Sequence, residues 1–398
     1  MAFFLNRKNV KEKKLGIYIH IPFCKSRCAY CDFYSNGGEK EARVVDDYLQ
    51  ALSDHMRETG KLSGDYVVDT VYFGGGTPSY FGADNLDKIM DEIHRNFRMS
   101  NEAEITFEAN PDSLNERELK KLLRTGFNRI SIGVQSTDNA MLETLGRPHT
   151  FQQAKVAMET ARKVGFANIS LDLMYALPGQ NLDDWLQTVE TAVAMRPEHI
   201  SCYALKIEEG TPFWAMKDKL IIPNDDQQLR MYLLASQYLR EHGYEHYEIS
   251  NFAKKGFASK HNLKYWTGEE YLGFGPSASS DFGGKRFTIM ADLKGYIEGI
   301  ARHGQVISEC ETIPPRARAG EYIMLRLRTN QGLDPVEYEK KVLLSFEPLK
   351  KFLERCADSD YAVCEDGRWK LTERGWFISN PIIVQLQEAQ EHSPSITR

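Results

Sequence analysis

Residues 18–33 read Tyr18-Ile-His-Ile-Pro-Phe-Cys24-Lys-Ser-Arg-Cys28-Ala-Tyr30-Cys31-Asp-Phe33. Three cysteines stand at Cys-x3-Cys-x2-Cys spacing, directly after an apolar run over 16–21 that reads as a strand. Three thiolates so close together can wrap one small inorganic centre, and soft thiolates select Fe–S clusters, zinc or Cu(I). A structural zinc site normally takes four ligands. No fourth Cys or His stands at a matching distance, and His20 belongs to the strand.

Outward from this loop the chain alternates. Short apolar runs at 16–21, 70–74, 104–108, 129–134, 168–173 and 199–205 are rich in Val, Ile, Tyr and Phe, as buried parallel strands are. Between them, 87–97, 116–125, 151–164 and 182–195 carry apolar residues at helical spacing. Ser113 with Glu116 reads as a capping box, and Gly126 and Gly165 sit where helix C-caps belong. Six β-α repeats imply an α/β fold with a parallel sheet and right-handed crossovers, either doubly wound or a partial barrel. In both, a ligand sits at the carboxyl ends of the strands.

Beyond residue 207 the alternation stops. A long helix is expected over 224–242, a Gly- and aromatic-rich stretch over 250–284, and a small mixed unit over 315–377. The expected organisation is an N-terminal extension (1–14), a barrel (15–210), a connecting region (211–310), a small C-terminal α+β domain (311–380) and a frayed polar tail (381–398). A length of 398 residues allows two or three domains. The net charge of −6 gives no bulk attraction to nucleic acid, and no basic stripe with interleaved aromatics is present, so no nucleic-acid partner is expected. No apolar run approaches the length of a membrane span. The short apolar patch at 2–5 precedes its positive charges, the reverse of a signal peptide, so a cytoplasmic protein is expected. There, seven cysteines are free thiols or metal ligands rather than disulfides. Cys202, Cys310, Cys356 and Cys364 fit no cluster spacing and read as buried or unreactive thiols.

The three-cysteine loop with an aromatic before its last cysteine, followed by this β-α pattern, resembles the radical S-adenosylmethionine (SAM) superfamily. Within it the chain is most similar to the HemN/HemW group of oxygen-independent coproporphyrinogen III oxidases and related haem chaperones, over 16–377. The resemblance implies a partial (β/α)6 TIM-like barrel with a HemN-type C-terminal region. It also implies a [4Fe–4S] cluster on Cys24, Cys28 and Cys31, whose open iron chelates the amino and carboxylate groups of SAM.

The strand ends bear on the same site. Strand two runs into Gly74-Gly75-Gly76-Thr77-Pro78-Ser79; no Gly-Lys-Ser/Thr follows, so this is not a phosphate loop. Other strands end at Glu108-Ala-Asn110, Val134-Gln135 and Tyr203-Ala204, and strand five contains Asp172. Polar groups are costly to bury unpartnered, so several together suggest a polar ligand. By resemblance, Tyr18, Tyr30, Gly75, Gly76, Thr77, Glu108, Gln135, Arg147, Asp172 and Ala204 take the family's SAM-contacting positions. Arg147 is expected to pair with a carboxylate.

Two features separate chaperone from oxidase. The oxidases carry a further cysteine two residues after the third, where this chain has Phe33, and a longer leader before the cluster loop. His261-Asn262-Leu263-Lys264-Tyr265-Trp266 resembles the HNxxYW motif of the haem chaperones, which implies His261 as an axial haem ligand with aromatics against the macrocycle. The expected cofactors are therefore the cluster, SAM and haem. The expected partners are an electron donor and haem-acceptor proteins, respiratory membrane proteins among them. The alternative is an enzyme that decarboxylates coproporphyrinogen III.

Overall fold

The computed structural model describes residues 12–396. Most of the expected N-terminal extension lies outside them, and its last residues, Lys13 and Lys14, open the first strand. All six expected strands form: β1 (Lys13–Ile21), β2 (Tyr66–Gly75), β3 (Met99–Ala109), β4 (Arg129–Gln135), β5 (Ile169–Tyr175) and β6 (His199–Ala204). They pair in sequence order, each parallel to the next. Parallel neighbours need a crossover, supplied by α1 (Ala42–Gly60), α2 (Ala83–Asn96), α3 (Glu116–Thr125), α4 (Phe151–Val164) and α5 (Leu182–Ala194). The result is a partial TIM-like barrel.

The strands are not uniformly apolar. Ile130, Ile132 and Val134 are buried in the core with the helices, whereas Arg129, Ser131, Gly133 and Gln135 face the barrel cavity. Period-two alternation thus separates an apolar layer under the helices from a polar interior.

The connecting region does not stand apart from the barrel. Strands β7 (Glu245–Glu248) and β8 (Asn251–Ala253) extend the sheet antiparallel beside β6. On the other edge β9 (Tyr271–Phe274) runs parallel to β1, followed by antiparallel β10 (Ser279–Phe282), β11 (Lys285–Ile289) and β12 (Ile307–Thr312). The long helix α6 (Asp225–Glu241) is capped by Asn224 through a capping box with Gln227, and a shorter α7 (Lys260–Thr267) carries the His261 motif. The C-terminal region packs short helices around a hairpin, Ala362–Glu365 with Arg368–Leu371.

Two local expectations are corrected. Asn115, not Ser113, caps α3 by accepting from the Glu118 amide. Ser113 is held in the turn Pro111–Ser113, where its hydroxyl bonds Ser79 and the Asn110 carbonyl. Gly126 and Gly165 close their helices in the left-handed region as expected. The tail is not frayed from residue 381: Ser379–Glu391 is a helix that buries Ile382, Ile383 and Leu386. Truncation after residue 378 therefore exposes three aliphatic side chains and the surface beneath them. The expected loss is on the order of 5 kcal/mol, at roughly 1.5–3 kcal/mol per side chain, seen as a lower melting temperature; an unchanged melting curve contradicts this packing.

Candidate SAM and cluster site

A cavity of about 330 Å³ opens at the carboxyl ends of the strands. Cys24, Cys28 and Cys31 line it together with Tyr30, Gly75, Gly76, Thr77, Glu108, Gln135, Arg147 and Asp172. Eleven of the thirteen predicted cluster and SAM residues thus share one cavity wall, and two do not. Tyr18 lies on β1 behind Tyr72, stacked at 6.3 Å between ring centroids, and Ala204 is exposed at the end of β6, where Tyr203 faces the cavity instead.

The cluster loop is fixed from three sides. Thr77 N–H donates to the Phe23 carbonyl at 2.8 Å, and the Thr77 hydroxyl lies 3.3 Å from the Cys24 sulfur. Ala29 donates to the Leu145 carbonyl at 3.0 Å and accepts from Phe213 N–H at 2.9 Å. The glycines are required by close approach: a Cβ on Gly75, whose φ is +100°, would fall 2.6 Å from the His20 ring, and one on Gly76 would fall 2.7 Å from the Phe23 carbonyl oxygen. Among the described residues no three His, Cys, Asp or Glu side chains stand close enough to share one metal ion. Cys24, Cys28 and Cys31 line one cavity, and three soft thiolates suit a cluster that keeps one iron open.

Among the described residues Arg147 pairs with no carboxylate. Its guanidinium donates to Asn110 Oδ1 at 2.5 Å, the Gly133 carbonyl at 2.8 Å and Cys28 Sγ at 3.5 Å, while its Nε has no partner. A Cβ on Gly133 would meet the side chains of Gln135 and Arg147 at 2.9 and 3.0 Å, so glycine there leaves room for both. Gln135 has a φ of +64°, a strained setting for a non-glycine residue at a strand end. The half-partnered cation, the glycine cradle and the three thiols fit a zwitterionic ligand bridging to a cluster.

Asp172 is held by Ser131, at 2.9 and 3.0 Å, and by Ser201 at 2.7 Å; burial raises its pKa. Burial and the neighbouring Asp172 carboxylate push Glu108 up to about 7, against the pull of its bonds from Tyr72 Oη, at 2.9 Å, and the Gly75 amide.

Several lining residues escaped the sequence reading: Tyr72, Arg129, Ser131 and Ser201. Arg129 and Ser131 stand at even spacings from Gln135 on the same strand, so strict alternation would have found them. Phe33 also lines the cavity and is 62% exposed.

His261 is not a free imidazole. It is buried at 1% exposure, with Nδ1 2.9 Å from Thr70 Oγ1 and Nε2 2.9 Å from Tyr265 Oη. Both ring nitrogens are bonded inside the barrel, so the expected axial role would require one of these bonds to be exchanged for iron. Of the other cysteines, Cys202 and Cys356 are buried, whereas Cys310 and Cys364 are exposed.

Comparison with known proteins agrees with this architecture. The Radical SAM superfamily model matches residues 18–192 and the HemN C-terminal domain model residues 313–378. A Bacillus subtilis protein named Heme chaperone HemW is 37% identical, over 92% of this chain and 97% of its own length. The Escherichia coli protein of the same name is 32% identical over 94% and 98%. The solved structure of Escherichia coli coproporphyrinogen III oxidase (HemN) superposes with a TM-score of 0.81 at 23% identity, covering 96% of this chain and 91% of that one. No described helix is long and apolar enough to cross a membrane. Shared sequence over almost the full length, on a barrel whose mouth gathers the three cysteines, places this chain in the HemN/HemW group of the radical SAM superfamily.

Proposed function

We propose that this protein is a cytoplasmic haem chaperone that holds a SAM-ligated [4Fe–4S] cluster and delivers haem to acceptor proteins. The observation that carries the proposal is the match to relatives named Heme chaperone HemW over more than nine tenths of the chain. Phe33 supports it, since it stands at the cavity where the oxidases have a further cysteine.

In this reading Cys24, Cys28 and Cys31 ligate three irons, and Arg147 offers its free Nε to the SAM carboxylate. Glu108 accepts from the SAM amino group, beside the backbone of Gly75 and Gly76. Gln135 and Asp172 bind further polar groups of SAM, and Tyr30 and Thr77 brace the cluster side. A reduced cluster supplies one-electron chemistry to SAM when both are bound. An electron donor and haem acceptors, respiratory membrane proteins among them, complete the partners.

Enzymatic assay tests the proposal. Reconstituted, reduced protein given SAM and coproporphyrinogen III is expected to release no CO2, and turnover would replace the chaperone with the oxidase. SAM binding should also depend on pH. Burial and the Asp172 carboxylate push Glu108 up to about 7, and only its ionised form attracts an ammonium group. Affinity is therefore expected to reach its full value about one unit above pH 7 and to fall by up to about tenfold per unit below pH 7. A flat profile between pH 6 and 8 would show that this carboxylate does not bind the amino group.

A further inference from the structure

We infer that His261 is a positioning residue of the cofactor cavity: its imidazole backs Tyr72, and Tyr72 aims the carboxylate of Glu108. The inference rests on the reading that this cavity holds SAM.

The segment that carries His261 reaches the barrel through a close approach. Helix α7 lies against β1 at Gly16, where a Cβ would meet Lys264 Cδ at 2.9 Å and His261 Cε1 at 3.3 Å. Lys264 anchors the helix through ion pairs with Asp69, at 2.7 Å, and Glu269, at 2.9 Å. The imidazole is then pinned on both ring nitrogens by Thr70 and Tyr265, and the His261 amide donates to Glu104 Oε1 at 3.2 Å. A ring so held has one orientation.

Its face is used as well as its edges. The His261 and Tyr72 rings stack, with centroids 5.3 Å apart and planes 26° from parallel. Tyr18 stacks on Tyr72 as well, at 6.3 Å and 25°. Tyr72 is thus held between two fixed rings, which leaves its hydroxyl directed at Glu108 Oε1, 2.9 Å away. Thr70 and Tyr72 are two residues apart on β2 and face the same side, so one strand both holds the histidine and presents the tyrosine. Asn262, next in sequence, lines the cavity itself. In this chain the His-Asn-x-x-Tyr-Trp segment therefore serves the cavity: the histidine buttresses, the asparagine lines and Tyr265 locks.

A double-mutant cycle on SAM affinity tests this, using anaerobically reconstituted full-length protein and equilibrium dialysis with SAM. His261→Ala and Tyr72→Phe should each weaken SAM about tenfold, the lower end of what a hydrogen bond to a charged group contributes. The double variant should be no weaker than either single, because both act on the same carboxylate. Iron content should stay at the wild-type level throughout. His261→Phe, which keeps a flat ring against Tyr72, should regain most of the affinity and guards against a folding defect in the alanine variant. Wild-type SAM affinity in His261→Ala, or losses that multiply in the double variant, would overturn the inference. So would a Soret band lost from hemin-loaded His261→Ala with SAM affinity intact, since that would make His261 a haem ligand. A wild-type protein that binds no SAM would reject the reading of the cavity and the inference with it.

Discussion

Replacing Cys24, Cys28 or Cys31 with alanine is expected to abolish the iron–sulfur centre, taking iron from about four per chain to almost none. The loop supplies three sulfurs and no substitute, since Thr77 and Arg147 touch Cys24 and Cys28 through groups that do not ligate iron. The thiols also need a cation. Burial, reinforced by Cys28 and Cys24, pushes the Cys31 thiol up to about 11, so its proton stays on at neutral pH until a metal displaces it. With only two thiolates left, a cubane loses a corner as well as charge balance. Metal analysis and visible absorbance of each reconstituted variant give the result. Full iron in any one of them removes that cysteine as a ligand, and stoichiometric zinc in the wild type would reject the cluster.

Glu108→Ala is expected to weaken SAM binding about ten- to hundredfold, the range for a lost charge-assisted hydrogen bond, while iron content stays unchanged. The carboxylate lines the cavity but makes no contact with the cysteines, so cluster assembly and SAM binding should separate in this variant. Its buried position makes it expensive to keep ionised without a cation, and that cost is recovered when an ammonium group arrives. Unchanged SAM affinity would show that Glu108 serves the barrel's internal network alone.

The barrel was legible because each strand of the first half is a short β-branched and aromatic run, flanked by helical spacing and glycine caps. Six strands and four of the crossover helices appear within a few residues of their expected limits. The cluster loop was legible for a different reason: its chemistry is written in consecutive residues. The errors have physical causes too. Arg129 opens an apolar run and drew no notice there, yet it is buried at 1% exposure because the strand's odd positions face a polar interior. Depth is likewise absent from a motif. His261 and Tyr265 lie four apart, which fixes their common helix face, but only Gly16 on a strand far away in sequence lets that face sink into the barrel. The final helix hides its apolar stripe of Ile382, Ile383 and Leu386 among glutamines and glutamates, so its polar composition outweighed its periodicity.

Haem transfer tests the chaperone most directly. Reconstituted protein is loaded with hemin, freed of unbound hemin, and mixed with an apo-form haem protein while the Soret band is followed. A chaperone should retain hemin with a shifted Soret band that decays as the acceptor's band grows. Protein that keeps no hemin after the unbound fraction is removed would contradict the account.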